Sequence, residues 1–388
     1  MSEKTLKWII YISGLFCIII WFSVRIEPLF NFMLKEKILP EYWENTKWGE
    51  LYYFNFISDF REKNLPPSTE KYRHTPKHPK LEDADILLFG DSFFDFTRMT
   101  TFPERLSDSI NKKVFYARFP KPLEYLDQNN YSNSEPKYMI YETAERIFHE
   151  RFVKPQPDKY LTDTRPPIKK AVREIRRFLF VPRTELILDQ LLCRSVLTYD
   201  IHSTISTLKF RLFGYITDQT PVYSVSNDTP WLFIASEVSK DPQGYYYNHS
   251  EEEIENYCDN IEDLAIKLKE RYNLEMIFMI IPNKFTVYHN IVNTPFSMYG
   301  KLIPKIYAEL QKRGIPVIDV LDDYLSERDK KLLFYRTDTH WTENGLEIAL
   351  DETVKTLNTL PLENKDLNAD HVKDSQLKPQ NAQFKSTY

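Results

Sequence analysis

Short apolar runs alternate with amphipathic stretches along most of the chain from Leu81 onward. The apolar runs with the length of buried strands are Ile86–Phe89, Val114–Ala117, Tyr138–Tyr141, Met276–Ile281 and Val317–Val320. Amphipathic patterns typical of helices fall near 102–111, 251–271, 297–313 and 343–357. Strands that alternate with helices predict a parallel sheet covered on both faces, so we expect a three-layer α/β fold over residues 81–358.

This alternation is interrupted between about 150 and 250, where we expect a helical insertion between the third and fourth strands. Within it, residues 168–179 predict a helix with an apolar face and several basic residues elsewhere. Such a helix lies on an anionic membrane surface or packs as a solvated helix through its apolar stripe. Residues 26–80, aromatic and then rich in Pro, Lys and His, predict a stalk or docking segment with little regular structure. The polar residues 359–388 predict a mobile tail.

A basic and then apolar segment lies near the start of the chain. Trp8–Val24 contains no charged residue and is flanked by Lys4, Lys7 and Arg25. Its length is at the lower end of what crosses a bilayer, about 17 to 25 residues. A cleaved signal peptide has a shorter apolar run that ends in small residues, and this run ends Ile-Trp-Phe-Ser-Val. We expect residues 1–25 to form one transmembrane signal anchor, with the N-terminus in the cytoplasm.

Composition narrows the function classes. The net charge of −5 gives no indication of a nucleic-acid partner. Three cysteines are too few for a disulfide framework, and no Cys/His spacing typical of zinc is present. Cys193 and Cys258 either pair in an oxidising compartment or remain free thiols. We expect neither a metal nor another cofactor.

A candidate nucleophile follows the first predicted strand, in the sequence Gly90-Asp91-Ser92. An open α/β sheet binds ligands at the carboxyl ends of its strands. A serine that starts the next helix there can present its backbone N–H to an oxyanion, and Gly90 permits the tight turn. The alternative is that Ser92 only caps a helix.

A candidate base lies near the other end of the predicted domain. A serine nucleophile needs a base, and that base needs a partner that orients it. Asp338 and His340 lie two residues apart on a predicted loop, followed by Trp341, which can pack the imidazole ring. No other histidine in the chain has a comparable arrangement around it. We therefore predict a catalytic triad of Ser92, His340 and Asp338.

The two blocks resemble those of a known family. Gly90-Asp91-Ser92-Phe93 resembles block I of the SGNH (GDSL-like) hydrolases. Asp338-Thr339-His340-Trp341 resembles their C-terminal Asp/His block, in the form found in alginate O-acetylation and DHHW proteins. Residues 141–146, which end in Glu145-Arg146, and residues 281–288, with a Pro-x-Lys-x-x-x-Tyr pattern, support that branch. The resemblance implies a flavodoxin-like, SGNH hydrolase-like three-layer fold.

Two departures from the family affect the site. The serine block precedes the Asp/His block here, whereas the alginate proteins have the reverse order. No Gly-x-Asn-Asp block is present, so Asn283 becomes the candidate oxyanion donor beside the backbone at Gly90. Further candidates for the substrate side are Arg146, Lys284, Tyr288 and Trp341. The basic pair binds an anionic group or polarises the acyl carbonyl, unless it forms structural ion pairs, and Tyr288 stacks on a sugar unless it packs in the core.

The resemblance implies an O-acetyltransferase that acts on an exported or envelope polysaccharide through an acyl-enzyme on Ser92. Because acetyl-CoA is absent outside the cell, the donor would be a multi-spanning membrane acyltransferase. The implied location is the bacterial inner membrane, with the catalytic domain on the periplasmic side. A carbohydrate esterase with the same triad and a non-catalytic polysaccharide-binding protein are the alternatives.

Overall fold

The computed structural model describes most of the region from residue 79 to residue 360 and two segments before it. The described residues are 3–23, 48–62, 79–96, 99–118, 121–133, 135, 137–155, 199–217, 220, 222–223, 230–292 and 301–360. The predicted helix at 168–179, Cys193 and the predicted tail beyond residue 360 lie outside these ranges. Cys258 is buried and free.

A parallel sheet of five strands forms the centre of the fold. The strands, in chain order, are β1 (Ile86–Phe89), β2 (Val114–Ala117), β3 (Lys137–Ala144), β4 (Val222–Tyr223), β5 (Trp231–Leu232), β6 (Leu274–Ile281) and β7 (Val317–Ile318). The parallel sheet has the order β2-β1-β3-β6-β7, and β4 pairs with β5 in a separate antiparallel ribbon. The predicted parallel sheet is therefore confirmed.

Helices flank the sheet strands and include each amphipathic segment that the pattern predicts within the described ranges. They are α1 (Glu3–Ser23), α2 (Tyr52–Asn55), α3 (Phe102–Ile110), α4 (Pro122–Gln128), α5 (Glu145–Phe152), α6 (Tyr199–Phe213), α7 (Glu251–Tyr272), α8 (Lys284–Tyr288), α9 (Leu302–Lys312), α10 (Leu321–Glu327) and α11 (Glu343–Thr359). Among the residues described, no helix combines the length and the apolar character needed to cross a membrane. The signal anchor stays a prediction.

Alternate strand residues supply two hydrophobic layers. Ile86 and Leu88 of β1 pack in the layer that contains α3 and α11. Leu87 and Phe89 point the other way, into the layer that contains α4, α7 and α9. A strand whose two faces are both covered needs a continuous apolar run, which is the pattern at 86–89.

Residues 48–62, which we call the N-terminal strap, fit the docking alternative among the expectations for residues 26–80, since they pack against the rest of the chain. Its aromatic and aliphatic side chains form a third hydrophobic cluster with Leu232. The Leu51 N–H donates to the Thr337 carbonyl at 3.0 Å, and the Ser58 N–H donates to Thr207 Oγ1 at 2.9 Å. The aromatic composition of this segment thus reflects buried side chains. The strap lies against the loop that carries the predicted base.

We expect Gly49→Ala to separate the strap from the catalytic loop. Gly49 has a φ of +89°, and a Cβ there would lie 2.2 Å from the Thr337 carbonyl oxygen. The clash adds to the unfavourable backbone angle, so the free energy of unfolding should fall by about 2–4 kcal/mol in urea titrations. Gly314→Ala is the control, because Gly314 also has a positive φ, +74°, but open space around the new Cβ. It should cost only about 1 kcal/mol; equal losses would contradict the proposed contact.

Candidate active site

The predicted nucleophile, Ser92, lies on a tight turn at the carboxyl end of β1. Gly90 is required there because a Cβ would lie 2.5 Å from Glu142 Oε2 and 2.8 Å from Phe94 Cδ2. The sequence predicted that Ser92 starts a helix, and this prediction is wrong. Residues 92–95 form a turn, and α3 begins only at Phe102. The Asp91 side chain explains the turn, since its Oδ1 accepts the Phe93 N–H at 3.1 Å in an Asx-type arrangement.

The buried side chains of Asp91 and Glu142 connect this turn to β3. The Asp91 N–H donates to Glu142 Oε2 at 2.7 Å, and Asp91 Oδ2 accepts the Ala144 N–H at 3.1 Å. Arg151 Nη2 lies 3.7 Å from the same Asp91 oxygen. Burial, and then the nearby Asp91 carboxylate, raise the pKa of Glu142 well above its usual range. The nucleophile turn is therefore connected to two points on β3, which restricts where the Ser92 hydroxyl can lie.

The structure brings Ser92, His340 and Asp338 together in one hydrogen-bonded series. His340 Nε2 lies 2.9 Å from Ser92 Oγ. His340 Nδ1 lies 2.7 Å from Asp338 Oδ1, so the carboxylate can accept the Nδ1 proton and leave Nε2 to act as the base. Phe96 stacks on the imidazole with ring centroids 4.3 Å apart. Each predicted triad residue thus has the neighbours that serine acyl transfer requires.

Acidic neighbours set the charge preference of the base. Burial disfavours the imidazolium form of His340, but the carboxylates of Glu50 and Asp338 outweigh it, and the net effect raises the pKa of His340. The guanidinium of Arg146 acts in the opposite direction. An imidazolium at this position, as the predicted base would form on taking a proton from Ser92, is therefore stabilised.

Lys284 lies beneath the catalytic loop, which corrects the expectation that it contacts substrate. Its fully buried Nζ donates to the carbonyl oxygens of Tyr335, Arg336 and Asp338 at 3.2, 3.2 and 2.7 Å. Burial lowers the pKa of Lys284 to about 8, against the opposing effect of nearby carboxylates such as Glu237. All three donors of the ammonium are used within the protein. Lys284 therefore holds the loop that presents His340.

Tyr288 and Trp341 are also core residues, not substrate contacts. The Tyr288 hydroxyl accepts the Leu333 N–H at 2.8 Å, and its ring packs on Trp231 with centroids 4.3 Å apart. Trp341 is fully buried, with its ring 5.2 Å from that of Phe93. Both side chains support the loop from the interior, so neither is exposed enough to stack on a sugar.

Arg146 and Asn283 lie together at the ends of β3 and β6. The Arg146 N–H donates to Asn283 Oδ1 at 3.0 Å, and Arg146 Nη1 lies 3.4 Å from Glu237 Oε1. The guanidinium carbon lies 5.9 Å from the centre of the Phe93 ring, directly after the nucleophile. Asn283 Nδ2 is buried and has no hydrogen-bond partner among the described residues. Arg146 is thus the predicted basic residue that remains beside the nucleophile turn.

The backbone offers one oxyanion donor at the turn. The Gly90 N–H donates to the Ala117 carbonyl at 3.4 Å and is therefore engaged in the fold. Within the described ranges, the Ser92 N–H takes part in no hydrogen bond. The Ser92 N–H therefore stays the predicted oxyanion donor, whereas the Gly90 N–H, the other backbone candidate, is used within the fold.

Sequence reasoning missed Glu50, which no local motif marks. Its Oε1 lies 3.7 Å from His340 Nδ1, and its N–H donates to Asp338 Oδ2 at 3.2 Å. Oxygen or nitrogen atoms of Glu50, Asp338 and His340 lie within 4.8 Å of one another, close enough to hold a cation. Both ring nitrogens of His340 already have partners, however, so a cation would compete with the contact to Asp338.

We expect Lys284→Met to loosen the catalytic loop. The change leaves the three carbonyl oxygens without their buried donor, so the free energy of unfolding should fall by about 2–5 kcal/mol in urea titrations. Lys331→Met removes the same charge from an exposed side chain and should change that free energy by about 0.5 kcal/mol or less. Similar losses in the two variants would show that Lys284 does not hold the loop.

Comparison with known proteins gives a family match in the second half of the chain. Residues 226–384 match the family model of the SGNH hydrolase-like domain of acetyltransferase AlgX. The matched range includes Asp338 and His340 but not Ser92. The position of the nucleophile in the site therefore rests on the geometry described above.

Curated relatives cover shorter stretches. The probable alginate O-acetylase AlgJ of Pseudomonas syringae pv. tomato is 31% identical over 85 residues, 21% of this chain and 22% of that protein. The probable AlgJ of Pseudomonas fluorescens is 30% identical over 100 residues, 25% of this chain and 25% of that protein. The probable AlgJ of Pseudomonas aeruginosa is 25% identical over 119 residues, 30% of this chain and 28% of that protein. The chain thus spans about a quarter of the length of these relatives.

A structural neighbour was also found. LAE5, an alpha/beta hydrolase enzyme from the metagenome of Lake Arreo in Spain, aligns with 72% of this chain and 97% of its own, at 10% identity and a TM-score of 0.33. The family match agrees with the Asp/His block of the sequence, and the AlgJ relatives belong to the same branch of alginate O-acetylation proteins. The resemblance to the SGNH-like branch of alginate O-acetylation proteins is therefore confirmed.

Proposed function

We propose that this protein is a serine O-acyltransferase that moves acetyl groups onto an exported or envelope polysaccharide. The observation that carries the proposal is the series in which Ser92 Oγ lies 2.9 Å from His340 Nε2 and His340 Nδ1 lies 2.7 Å from Asp338. The similarity to probable alginate O-acetylases supports acetyl as the acyl group and a polysaccharide as the acceptor.

The first half of the reaction forms an acyl-enzyme. His340 Nε2 takes the proton of the Ser92 hydroxyl while Ser92 Oγ attacks the acyl carbonyl carbon. The Ser92 N–H stabilises the resulting oxyanion, and Asp338 stabilises the imidazolium. The tetrahedral intermediate then collapses, and His340 returns its proton to the leaving group of the donor.

The second half transfers the acyl group to the acceptor. A sugar hydroxyl gives its proton to His340 Nε2 and attacks the ester carbon, and Ser92 Oγ leaves with the proton from His340. An esterase would use water at this step. Phe93 and Phe96 pack against the imidazole of His340, which is buried. These rings fix the orientation of the base, which either acceptor requires, so the preference for transfer rests on the similarity to probable alginate O-acetylases.

Arg146 supports an acceptor that carries negative charge. Acidic neighbours, Glu237 foremost, outweigh burial and raise the pKa of Arg146, which therefore stays charged. Its side chain is 17% exposed, beside the nucleophile turn. A partly exposed guanidinium in this position suits a carboxylate on the acceptor sugar.

The N-terminal segment supports a membrane location for the reaction. Large apolar side chains along α1, including Trp8, Ile12 and Phe16, are exposed, and Lys4 and Lys7 precede the apolar run. We propose that residues 1–25 anchor the protein in the bacterial inner membrane and that the triad faces the periplasm. A multi-spanning membrane acyltransferase would then deliver the acetyl group, since acetyl-CoA is confined to the cytoplasm.

We expect Ser92→Ala to abolish acetyl transfer. Purified full-length protein is given an activated acetyl ester with anionic or neutral oligosaccharides, and mass spectrometry follows acetylated glycan and acetylated Ser92. The variant should lose about 10³-fold or more of the rate, because the nucleophile is gone. Ser326→Ala, which changes an exposed serine of α10, is the matched control and should retain the wild-type rate.

Three outcomes distinguish the candidate functions. Acetylated oligosaccharide that depends on Ser92 supports the transferase, whereas Ser92-dependent release of free acetate alone points to the esterase. Turnover that is unchanged in Ser92→Ala contradicts the nucleophile assignment. Oligosaccharide binding without any turnover in the wild type favours the non-catalytic binding protein.

The anchor has its own test. Alkaline phosphatase fused after residue 360 should be active in a bacterial host, because this reporter folds only outside the cytoplasm. Deletion of residues 1–25 should abolish that activity and release the fusion from the membrane fraction. A full-length fusion that is inactive, or that is recovered without membranes, would contradict the proposed location.

A further inference from the structure

A second carboxylate contacts the catalytic loop from a distant part of the chain. Glu50, in the N-terminal strap, accepts hydrogen bonds from the backbone N–H and the hydroxyl of Thr339. Its own N–H donates to Asp338 Oδ2 at 3.2 Å, and its Oε1 lies 3.7 Å from His340 Nδ1. One residue therefore contacts three successive members of the loop, two of which belong to the triad.

Both carboxylate oxygens of Asp338 accept hydrogen bonds, one of them from Glu50. Asp338 Oδ1 accepts both the backbone N–H of His340, at 3.2 Å, and its Nδ1 proton, at 2.7 Å. Its other oxygen accepts the Glu50 N–H. A carboxylate whose two oxygens are both engaged cannot rotate away from the imidazole without breaking these bonds. The strap thus fixes the residue that orients the base.

Four charged groups face the imidazole of His340. Asp338 and Glu50 favour its protonated form, Arg146 opposes it, and the Asp95 carboxyl interacts with it from the nucleophile turn. Glu50 differs from Asp338 in exposure: its side chain is 30% exposed, against 2% for Asp338. The site therefore contains one buried carboxylate that orients the ring and one at its edge that adds negative charge.

We propose that Glu50 is a positioning residue for His340, which fixes Asp338 through its backbone and stabilises the imidazolium through its side chain. The inference rests on the proposed role of His340 as the base for Ser92. Because Glu50 belongs to the strap, the active site is complete only when residues 48–62 are docked on the loop. The segment before the first strand is then part of the catalytic unit.

Glu62 provides a matched control from the same strap. Its Oε2 accepts the backbone N–H and the hydroxyl of Thr337, each at 2.9 Å. Glu62 therefore holds the loop as Glu50 does, with the same residue type and a comparable pair of hydrogen bonds. Among the contacts of the described residues, the Glu62 carboxylate makes none with the imidazole of His340. A comparison of Glu50 with Glu62 therefore separates the effect of holding the loop from the effect of negative charge beside His340.

The test compares Glu50→Gln with Glu62→Gln in the full-length protein. A fluorophosphonate labels an activated serine without any sugar acceptor, and its rate of reaction with Ser92 is measured from pH 5 to pH 9. Neutral His340 is the active base, so the rate rises with pH through the pKa of His340. Removing the charge of Glu50 lowers that pKa, so the rise in Glu50→Gln should move to lower pH. Its alkaline plateau should fall roughly tenfold, because the imidazolium loses a stabilising neighbour.

A titration by NMR gives the second readout. The ring carbon of His340, labelled with ¹³C and assigned with His340→Gln, reports the same pKa without any reaction. Glu62→Gln should leave this pKa and the position of the pH profile unchanged, although both variants lose unfolding free energy. An unchanged pKa in Glu50→Gln, or an equal shift in Glu62→Gln, would overturn the inference. Absence of labelling in the wild type counts against the proposed function, and the NMR titration then decides the role of Glu50 alone.

Discussion

The buried ammonium of Lys284 is the contact on which the geometry of the active site depends. A charged group in the interior has to be satisfied by polar partners, because its desolvation is otherwise too costly. Here the partners are the carbonyl oxygens of Tyr335, Arg336 and Asp338, which have to converge on one ammonium. The loop therefore adopts the shape in which His340 faces Ser92. The buried charge of Lys284 thus fixes the loop conformation that positions His340.

Two carboxylates of the strap bind the same loop on the side away from Lys284. Glu50 and Glu62 of the strap accept backbone N–H groups of Thr339 and Thr337. The loop thus lies between a cation that binds its carbonyl oxygens and carboxylates that bind its N–H groups, so both kinds of backbone group are satisfied without regular secondary structure. A rigid but irregular loop of this kind suits a base that has to meet a nucleophile from a different strand.

The serine block and the Asp/His block can meet in space whichever of them comes first along the chain. The family match includes the Asp/His block and excludes Ser92, which precedes that block in this chain. Parallel strands bring their carboxyl ends to one edge whatever their order, and β1 lies between β2 and the central strand β3. A serine after β1 can therefore meet a histidine from a loop after β7. The reaction requires the geometry of the edge, not a particular sequence order.

Local features of the sequence determined the strands, the helices and the identity of the three residues that meet in the proposed triad. Apolar periodicity is set by which faces of an element are buried, so the parallel sheet could be predicted from 86–89 and its counterparts. Gly90-Asp91-Ser92 and Asp338-Thr339-His340 carry their chemistry within a few residues, and for that reason they could be recognised. The turn at Ser92 was misread as the start of a helix, because an Asx turn and a helix cap begin with the same residue types.

Only the tertiary structure decided the roles of the surrounding residues. Lys284 and Tyr288 follow a strand in the same way as a substrate-binding pair would, and only packing shows that both serve the loop. Glu50 lies in a segment whose composition is typical of a stalk, and its contact with His340 joins residues 290 positions apart (340 − 50). Hydrogen bonds and charge pairs between distant residues leave no period or motif in the sequence. They exist only once the hydrophobic layers have brought the strap and the loop together.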